Sequence, residues 1–449
     1  MTSSHRDLSA PTEPNDFYLR TMAEDTARRA AAAGPVTSPF RGAPEALTEH
    51  LAEGLAAVGA DVTALLHEIH GYAEPAFEEV RSAEAIVRLL AAHGIEAELG
   101  TAGVSTALRA RIGSGEGRSM GILSEYDALP GIGHGCGHNV IAATGVGAFL
   151  ALAALEKARP GSLPGTVVLY GTPAEEGHAG KEVMARGGAF TDIDAAIMLH
   201  GYGYDAADQV WLGRRLLDVT FTGVPAHASA QPFMGRNALD AVSLMYQGIG
   251  LLRQQMPPID RIHAVVPEGG TRPSIVTETA SLQFYIRSKY PETLKDLSAR
   301  VEDIARGAAL MTGTGVDISW DRHPANLPVR TNGTLTARWC ERERERGRNP
   351  LAAGVLDESI AASTDFGNVS FRMPGIHPLL KVSDSDVALH TREFAEAAVT
   401  SAAEAAALDG AYGLAGVALD YLYDDALADA VHEEFESAGG AVDVPHFFD

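Results

Sequence analysis

Apolar and polar positions along the chain form blocks that predict strands separated by helices. Short apolar runs at residues 120–129, 166–174 and 195–201 each end in polar or ionisable side chains, and a long helical pattern at residues 139–158 separates the first two. Buried strands that alternate with helices are typical of an α/β sheet, whose ligands gather beyond the strand ends. We therefore expect the functional residues at the ends of these three runs.

The pattern changes near Arg214 and returns to the first type near Pro324. Between these points, alternating strand patterns accompany two helical stretches, which predicts a compact α+β domain inserted into the first domain. The N-terminal segment is rich in Ser, Thr, Pro and Ala, so we expect a lightly structured arm there. The predicted division is an N-terminal arm over residues 1–45, a catalytic domain over residues 46–213 and 323–449, and the inserted domain over residues 214–322.

The composition is that of a large, acidic globular chain. Its 449 residues include 59 Asp and Glu against 35 Lys and Arg, which gives a formal net charge of -24. Nucleic acids and anionic membranes need a basic surface, so neither is an expected partner. We find no secretory signal pattern at the start and no continuous apolar stretch of membrane-spanning length. Because Cys136 and Cys340 are too few for a disulfide framework, we expect a cytoplasmic protein.

The strongest chemical signal is the segment SEYDALPGIGHGCGHN at residues 124–139, in which a strand end runs into a glycine-rich turn and then a helix. This segment carries His134, Cys136 and His138, with Asp127 close by. Glycines let the backbone bend so that a thiolate and an imidazole two positions apart face one point, which a regular helix would not allow. Each residue alone could be a buried structural group, but their clustering favours a metal site.

Two further strand ends carry side chains that bind metals. Glu175 and Glu176 follow an apolar strand, and adjacent side chains in extended backbone point in different directions. One carboxylate can then bind a metal while the other faces the metal-bound water. His200 ends the third apolar run, whereas His178 lies in a flexible turn and is expected to be exposed. Thiolate, imidazole and carboxylate ligands together favour zinc or manganese over magnesium or calcium.

With these motifs in place, the chain resembles the aminoacylase and carboxypeptidase G type family of co-catalytic metallohydrolases over roughly residues 47–440. The resemblance rests on the ordered segments LHEIHGYAEPAFEE, EYDALPGIGHGCGHN, GTPAEEG, AAIMLHG, VTFTGVPAHAS, GRNALDA and LHTREF. It is closest to the amidohydrolase branch with indole-acetyl-amino-acid hydrolases, p-aminobenzoyl-glutamate hydrolase and β-alanyl-lysine type dipeptidases. It implies a zinc-peptidase-like α/β catalytic domain, whose mixed sheet has helices on both faces, and an inserted α+β lid through which two copies form a homodimer.

The resemblance also implies roles for individual residues. His227, in the lid motif AHAS, resembles the family histidine that reaches the partner subunit's active site and stabilises the developing oxyanion. Asp127 resembles the carboxylate that orients metal ligands. His377 competes with His390 for the last ligand position, and the segment LHTREF favours His390. The implied metal ligands are Cys136, His138, Glu176, His200 and His390, with Cys136 or Glu176 as a bridge between two ions and Glu175 as the general base.

The predicted reaction is cleavage of the amide bond in a small N-acyl amino acid or dipeptide. Two divalent ions, zinc or manganese, are expected to activate a shared water for this attack. Substrate contacts are expected from Asn237, Arg272 and His377, and His377 could equally be a packed structural residue; Arg272 and Arg287 could each grip a substrate carboxylate.

Two alternatives stay open from the residues. The first is deamination of a small amine on the same metal site, because an activated water can also displace ammonia. The second is a catalytically silent, metal-binding dimeric protein, which the extra carboxylate Glu175 beside Glu176 disfavours. A serine hydrolase and a dinucleotide-binding protein are disfavoured because the chain lacks a G-x-S-x-G elbow and a strand followed by G-x-G-x-x-G.

Overall fold

The computed structural model describes residues 8–449, and its helices and strands follow the predicted order. The helices are α1 (Phe17–Ala32), α2 (Glu45–Tyr72), α3 (Val80–Ala92), α4 (His138–Ala158), α5 (Gly180–Arg186), α6 (Ala238–Leu252), α7 (Pro291–Thr312), α8 (Gly333–Glu345), α9 (Phe366–Ser370), α10 (Arg392–Ala397), α11 (Ser401–Tyr423) and α12 (Asp425–Ser437). The strands are β1 (Ala97–Leu99), β2 (Leu108–Gly113), β3 (Ser119–Ser124), β4 (Thr166–Gly171), β5 (Ala195–Ile197), β6 (His200–Tyr202), β7 (Gly213–Thr222), β8 (Arg261–Glu268), β9 (Thr279–Ser288), β10 (Gly315–Trp320), β11 (Gly375–Ile376) and β12 (Leu379–Lys381).

The larger sheet has six strands in the order β1-β2-β4-β3-β5-β11. Its β1, β2 and β4 pair antiparallel, and β4, β3, β5 and β11 pair parallel. Because side chains alternate along a strand, Val167 and Leu169 pack into the core with α2, α4 and α11, while Val168 and Tyr170 pack with α5 and α9. The sheet is therefore mixed and covered by helices on both faces, as predicted.

Helix α4 lies at the centre of this domain. It is apolar on all sides, and in length and composition it could cross a membrane, but 89% of its most apolar window is buried in the protein. The absence of a Cβ at Gly145 lets this helix approach the end of β3, because a Cβ there would lie 2.0 Å from the Ser124 hydroxyl. The apolar character of α4 thus follows from its burial beneath the sheet.

A separate antiparallel sheet in the order β10-β7-β9-β8 forms the inserted segment, which we call the lid. One face of β9 packs through Leu282, Phe284 and Ile286 into a core that α6 and α7 cover. The side chains that alternate with these three along β9 lie on the opposite face of the lid sheet, which no described helix covers. We call this the uncovered face. Together with the mixed sheet, this inserted α+β unit confirms the predicted fold class, while the domain boundaries themselves stay a prediction.

The predicted N-terminal arm contains helix α1, in which Thr26 is the buried residue. Downstream of this helix the chain is tied to the catalytic domain: the backbone N–H of Ser38 donates to Glu341, and that of Ala43 donates to Asp420. From residue 8 onward the arm is therefore more ordered than its composition predicted, and residues 1–7 lie outside the described part of the chain.

Candidate metal centre and substrate cavity

Three neighbouring parallel strands bring the chemical residues together. Strands β4, β3 and β5 lie side by side, so their carboxyl ends open at one edge of the sheet. Asp127 follows β3, Glu175 and Glu176 follow β4, and His200 follows β5. The side chains that were expected from the strand ends therefore lie at one edge of this sheet.

The glycine-rich turn supplies two more candidate ligands. Gly137 has a φ of 76° directly before α4, a left-handed conformation that glycine adopts without strain. This bend puts Cys136 before the helix and His138 at its first position, and both side chains are buried at the same centre. A regular helix over these residues would have separated the two side chains.

Six of the predicted residues form overlapping groups in which the ligand atoms lie within 4.8 Å of one another. One group unites Cys136, His138 and His200, and a second unites Cys136, Glu176 and His390. A third group unites His138, Glu175 and Glu176. The first two groups together contain every predicted metal ligand, and they share the Cys136 sulfur.

Hydrogen bonds orient the imidazoles toward this centre. His138 Nδ1 donates to the Asp127 backbone oxygen at 2.9 Å and lies 3.1 Å from its carboxylate, while His200 Nδ1 donates to the Gly201 oxygen at 2.7 Å. Both rings therefore direct Nε2 into the site. His138 Nε2 and Glu176 Oε1 are buried without a hydrogen-bond partner. Orphaned buried ligand atoms of this kind fit a bound cation.

Glu175 and Glu176 differ in proton affinity. Burial raises the pKa of Glu175 well above its ordinary value, and the nearby charges of Glu176, Glu125 and Asp365 add to this effect. Burial also opposes ionisation of Glu176, but the nearby imidazoles of His390 and His138 hold its pKa below the ordinary value. The two neighbours thus separate into a carboxylate that takes up a proton readily and one that stays ionised.

Cys136 would bind a cation as a thiolate, although its thiol is neutral without one. Burial, followed by the charge of Glu176, raises the pKa of Cys136 well above its ordinary value. A metal-bound thiol is deprotonated because the cation stabilises the thiolate directly. The donor set of one sulfur, three imidazoles and one carboxylate therefore fits divalent transition metals.

His390 reaches the centre from a loop between β12 and α10. Its backbone has a φ of 62°, which is uncommon for a residue other than glycine, and its N–H donates to the Gly135 oxygen at 2.8 Å. His390 Nε2 lies 3.4 Å from Glu176 Oε1. His377, its competitor for the last ligand position, lies outside all three groups, so the geometry favours His390.

His377 is instead packed behind His200. Its ring lies 5.2 Å from that of Phe366, 4.7 Å from Trp211 and 5.7 Å from His200, and both of its nitrogens lack a hydrogen-bond partner. Burial, followed by the charge of His200, lowers the pKa of His377 well below its ordinary value. This position agrees with the interpretation of His377 as a packed structural residue. Its contact with a substrate stays a prediction.

Two other histidines of the motifs also lie outside the groups. His134 is buried and its Nε2 lies 3.0 Å from the Ile69 oxygen, and burial lowers its pKa to about 3. The ring of His178 lies 4.4 Å from that of His323. His178 is half-buried rather than exposed as expected.

A buried ion network beneath the ligands was not predicted from the sequence. The Lys181 ammonium contacts Glu125 and lies 2.6 Å from Asp365, and all three side chains are fully buried. Glu125 Oε2 in turn lies 3.6 Å from His138 Nε2. Glu125 could have been noticed, because it stands in the strand end SEYD two positions before Asp127. Nothing local in the sequence marks Lys181 or Asp365.

A cavity of about 520 Å³ opens from this centre toward the lid. Among the predicted ligands, Cys136, Glu176, His200 and His390 line its inner end, as does Glu175. The lid contributes its outer wall through Arg214, Arg261, His263 and Arg287. Of the two arginines that were expected to grip a carboxylate, Arg287 therefore lies in the cavity and Arg272 does not.

Three predicted residues lie elsewhere on the lid. His227 is exposed and does not line this cavity. Asn237 caps α6: its carbonyl oxygen accepts from the Leu239 N–H at 3.1 Å. Arg272 is also exposed, in the loop whose Ile275 pairs with His227. Their proposed roles toward a substrate stay predictions, and within one chain these residues do not meet the metal-binding groups.

Known proteins with similar sequences belong to the family that the motifs resemble. The family model for peptidase family M20/M25/M40 matches residues 121–439. The Xaa-Arg dipeptidase of Mus musculus is 35% identical over 401 residues, covering 87% of this chain and 93% of that protein. One of the p-aminobenzoyl-glutamate hydrolase chains of Escherichia coli K12 is 29% identical, covering 83% of this chain and 92% of that protein.

Solved structures share the fold. The YXEP protein of Bacillus subtilis, a dinuclear metal binding peptidase from the M20 family, has a TM-score of 0.61 at 20% identity and covers 82% of this chain and 99% of its own. An aminobenzoyl-glutamate utilization protein from Klebsiella pneumoniae has a TM-score of 0.61 at 21% identity, covering 82% and 98% of the two chains. The predicted family and the predicted class of enzyme, a hydrolase of amide bonds, are confirmed. With a family model that spans most of its length and a relative 35% identical along 87% of it, the chain belongs to peptidase family M20/M25/M40.

Proposed function

We propose that this chain is a metal-dependent amidohydrolase that releases an amino acid from a small N-acyl amino acid or dipeptide. The observation that carries this proposal is the pair of ligand groups that share Cys136, with Glu175 beside them at the inner end of a cavity. A cavity of about 520 Å³ is of the size that small-molecule sites have.

Cys136, His138 and His200 would hold one divalent ion, and Cys136, Glu176 and His390 a second. We propose zinc or manganese, because calcium and magnesium prefer oxygen ligands to a thiolate and imidazoles. Two such ions, when bound, lower the pKa of a shared water and polarise the substrate carbonyl. Asp127 keeps the ligands in place, since it accepts from His138 and also from the Glu176 N–H at 2.9 Å.

Glu175 is the proposed proton carrier. Its carboxylate takes a proton from the attacking water and later gives it to the leaving nitrogen, so that one group serves as base and then as acid. The raised pKa that burial and the neighbouring carboxylates give Glu175 suits the second step. The positive charge of bound cations opposes that rise and keeps the carboxylate available for the first step.

His227 is the proposed oxyanion donor of a partner subunit. Its Nδ1 accepts from the backbone N–H groups of Ser229 and Ala230, both at 3.3 Å, so the neutral ring of this exposed residue carries its proton on Nε2. A donor of this kind stabilises negative charge on the substrate oxygen. Asn237 and Arg272 lie on the same lid and are proposed to contact substrate from the partner as well.

The lid offers a surface for the proposed homodimer. Strand β8 is an edge strand of the lid sheet, and its Val265 and Val266 are exposed. Tyr246 and Leu251 on α6 are also exposed. An unpaired strand edge beside apolar side chains is a typical site of association.

We further propose a cytoplasmic location, which the two buried free thiols of Cys136 and Cys340 support.

The proposal is tested by metal content and by hydrolysis of N-acyl amino acids, p-aminobenzoyl-glutamate and dipeptides. We expect about two ions per chain and release of an amino acid. Glu175→Gln should keep the metal, because Glu175 is outside the two groups that share Cys136, and should lose activity about 100-fold or more.

Three results would contradict the proposal. Full activity of the Glu175→Gln variant removes Glu175 as proton carrier. Release of ammonia without a second organic product indicates the deaminase, and bound metal without any cleavage indicates the silent metal-binding protein.

A further inference from the structure

The outer wall of the cavity carries an arginine row, formed by Arg214 on β7, Arg287 on β9 and Arg261 on β8. Arg287 is directly opposite Arg214 on one side and Arg261 on the other. Directly opposite residues share one face of a sheet. Their strand neighbours Ile262 and Ile286 pack into the lid core, so the arginine row lies on the uncovered face. All three arginines line the cavity that contains the metal-binding groups.

The arginine row lacks an ion-paired carboxylate in the part of the chain that the structure describes. Within residues 8–449, none of its members forms an ion pair, and the nearby carboxylates are engaged elsewhere: Asp321 lies 2.6 Å from Arg215, and Asp218 lies 3.5 Å from Arg322. Arg261 donates only to backbone oxygens, including that of Asp260 at 2.9 Å. The carboxylates of Asp260 and Asp321 act on Arg261 and Arg214 from a distance, so the three guanidinium groups line the cavity without a directly paired anion.

Packing holds these groups close together despite their like charge. The guanidinium carbons of Arg214 and Arg287 each lie 4.9 Å from the centre of the Tyr285 ring. Burial, followed by the positive charge of Arg214, lowers the pKa of Arg287. Like charges directly opposite one another destabilise a sheet. An anion in the cavity would relieve this repulsion and gain charge-assisted hydrogen bonds.

We propose that the arginine row selects substrates whose leaving amino acid is dicarboxylic, such as aspartate or glutamate. This inference rests on the proposed amidohydrolase function. With the scissile carbonyl at the metal ligands, the α-carboxylate next to the scissile nitrogen lies toward the cationic wall. A carboxylate pairs with one guanidinium in a bidentate fashion, so a row of three leaves room for the second carboxylate of an acidic side chain.

The same row disfavours a cationic side chain. The mouse relative is named an Xaa-Arg dipeptidase. An arginine side chain placed against Arg214, Arg261 and Arg287 would meet three like charges that no ion pair neutralises. We therefore expect this chain to differ from that relative in its preferred leaving amino acid.

The test compares kcat/KM for the matched dipeptides Ala-Glu, Ala-Gln and Ala-Arg on the metal-loaded enzyme. We expect Ala-Glu to exceed Ala-Gln by about 10-fold or more, the range for a hydrogen bond to a charged group. Arg261→Gln should bring that ratio close to one, and Arg261→Lys should keep part of it. Arg300→Gln removes an arginine on the outer side of α7 and should leave the ratio unchanged.

The inference is overturned if wild-type enzyme cleaves Ala-Gln or Ala-Arg as well as Ala-Glu, or if Arg261→Gln keeps the wild-type ratio. Calorimetry on the Glu175→Gln variant separates this inference from the proposed function, because it needs no turnover. If N-acetylglutamate binds more tightly than N-acetylglutamine, and this difference is lost when Arg261→Gln is added, the role of the arginine row is supported even if no dipeptide is cleaved. Equal binding of the two ligands overturns it.

Discussion

At the scale of single residues, the site is built from side chains that are each fixed by a second contact. Asp127 is the clearest case, since its carboxylate lies 3.1 Å from His138 Nδ1 and accepts from the Glu176 N–H at 2.9 Å. Burial opposes ionisation of Asp127, yet the charge and hydrogen bond of His138 hold its pKa below the ordinary value. One carboxylate thus connects the turn after β3, the first residue of α4 and the turn after β4.

This connection predicts the effect of Asp127→Asn. An amide has one acceptor oxygen where the carboxylate has two, so one of the two hydrogen bonds is lost and a ligand is no longer oriented. We expect metal affinity to fall by about 10- to 100-fold, measured by competition with a chelator. Asp61→Asn, the same change at a surface residue paired with His93, is the matched control. Unchanged metal affinity in a folded Asp127→Asn protein would contradict this role.

The residues that could be predicted from sequence are those that follow a strand or stand in the glycine-rich turn. Cys136, His138, Glu176 and His200 come from such local signals, whereas His390 needed the resemblance because nothing local distinguishes it from His377. The arginine row could not be found, because its members become neighbours only through the pairing of three strands distant in sequence. For the same reason the role of Lys181 could not be predicted, because its partners Glu125 and Asp365 lie on other elements.

At the scale of elements, the start of α3 fixes the turn that carries the proposed general base. Glu79, the residue before α3, accepts from the backbone N–H of Ala174 at 2.9 Å and from the Thr106 hydroxyl at 2.9 Å. Ala174 has a φ of 61°, an uncommon conformation directly before Glu175. Burial and the charge of Asp127 raise the pKa of Glu79 to about 7.

A raised pKa makes stability depend on pH. Because the pKa of Glu79 is about 7 in the folded protein and 4.5 ordinarily, the folded state holds this proton more tightly than the unfolded chain. The contribution of this group to the free energy of unfolding is full below pH 4.5 and is lost as pH rises to about 7. Glu79→Gln keeps an acceptor for the Ala174 N–H without titrating.

We therefore expect urea denaturation of wild-type protein to show a stability loss between about pH 5 and pH 7 that is smaller in Glu79→Gln. Glu78→Gln, a change at the adjacent exposed residue, should keep the wild-type profile. If Glu79→Gln and wild-type proteins lose the same free energy of unfolding over this range, another group is responsible.

At the scale of the whole molecule, the two larger of the three sheets in the described residues have different tasks. The mixed sheet gathers the candidate metal ligands at its strand ends, while the lid sheet contributes the arginine row from the same chain. The exposed His227 contributes nothing to the cavity of its own chain. Composition and periodicity predicted both of these sheets. How two copies of the chain pair with each other cannot be predicted from a pattern within a single chain.

Mixing two inactive variants tests whether the partner completes the site. In a dimer of one His227→Ala chain and one Glu175→Gln chain, the first chain keeps Glu175 and receives His227 from the second. One of the two sites is then intact, so random pairing of equal amounts should restore about a quarter of wild-type activity. Co-expression with two affinity tags isolates the mixed dimer, which should have about half of wild-type activity because one site in two is complete. Activity of the mixture no greater than the sum of its components, or full activity of His227→Ala alone, would show that each chain works without the lid histidine of its partner.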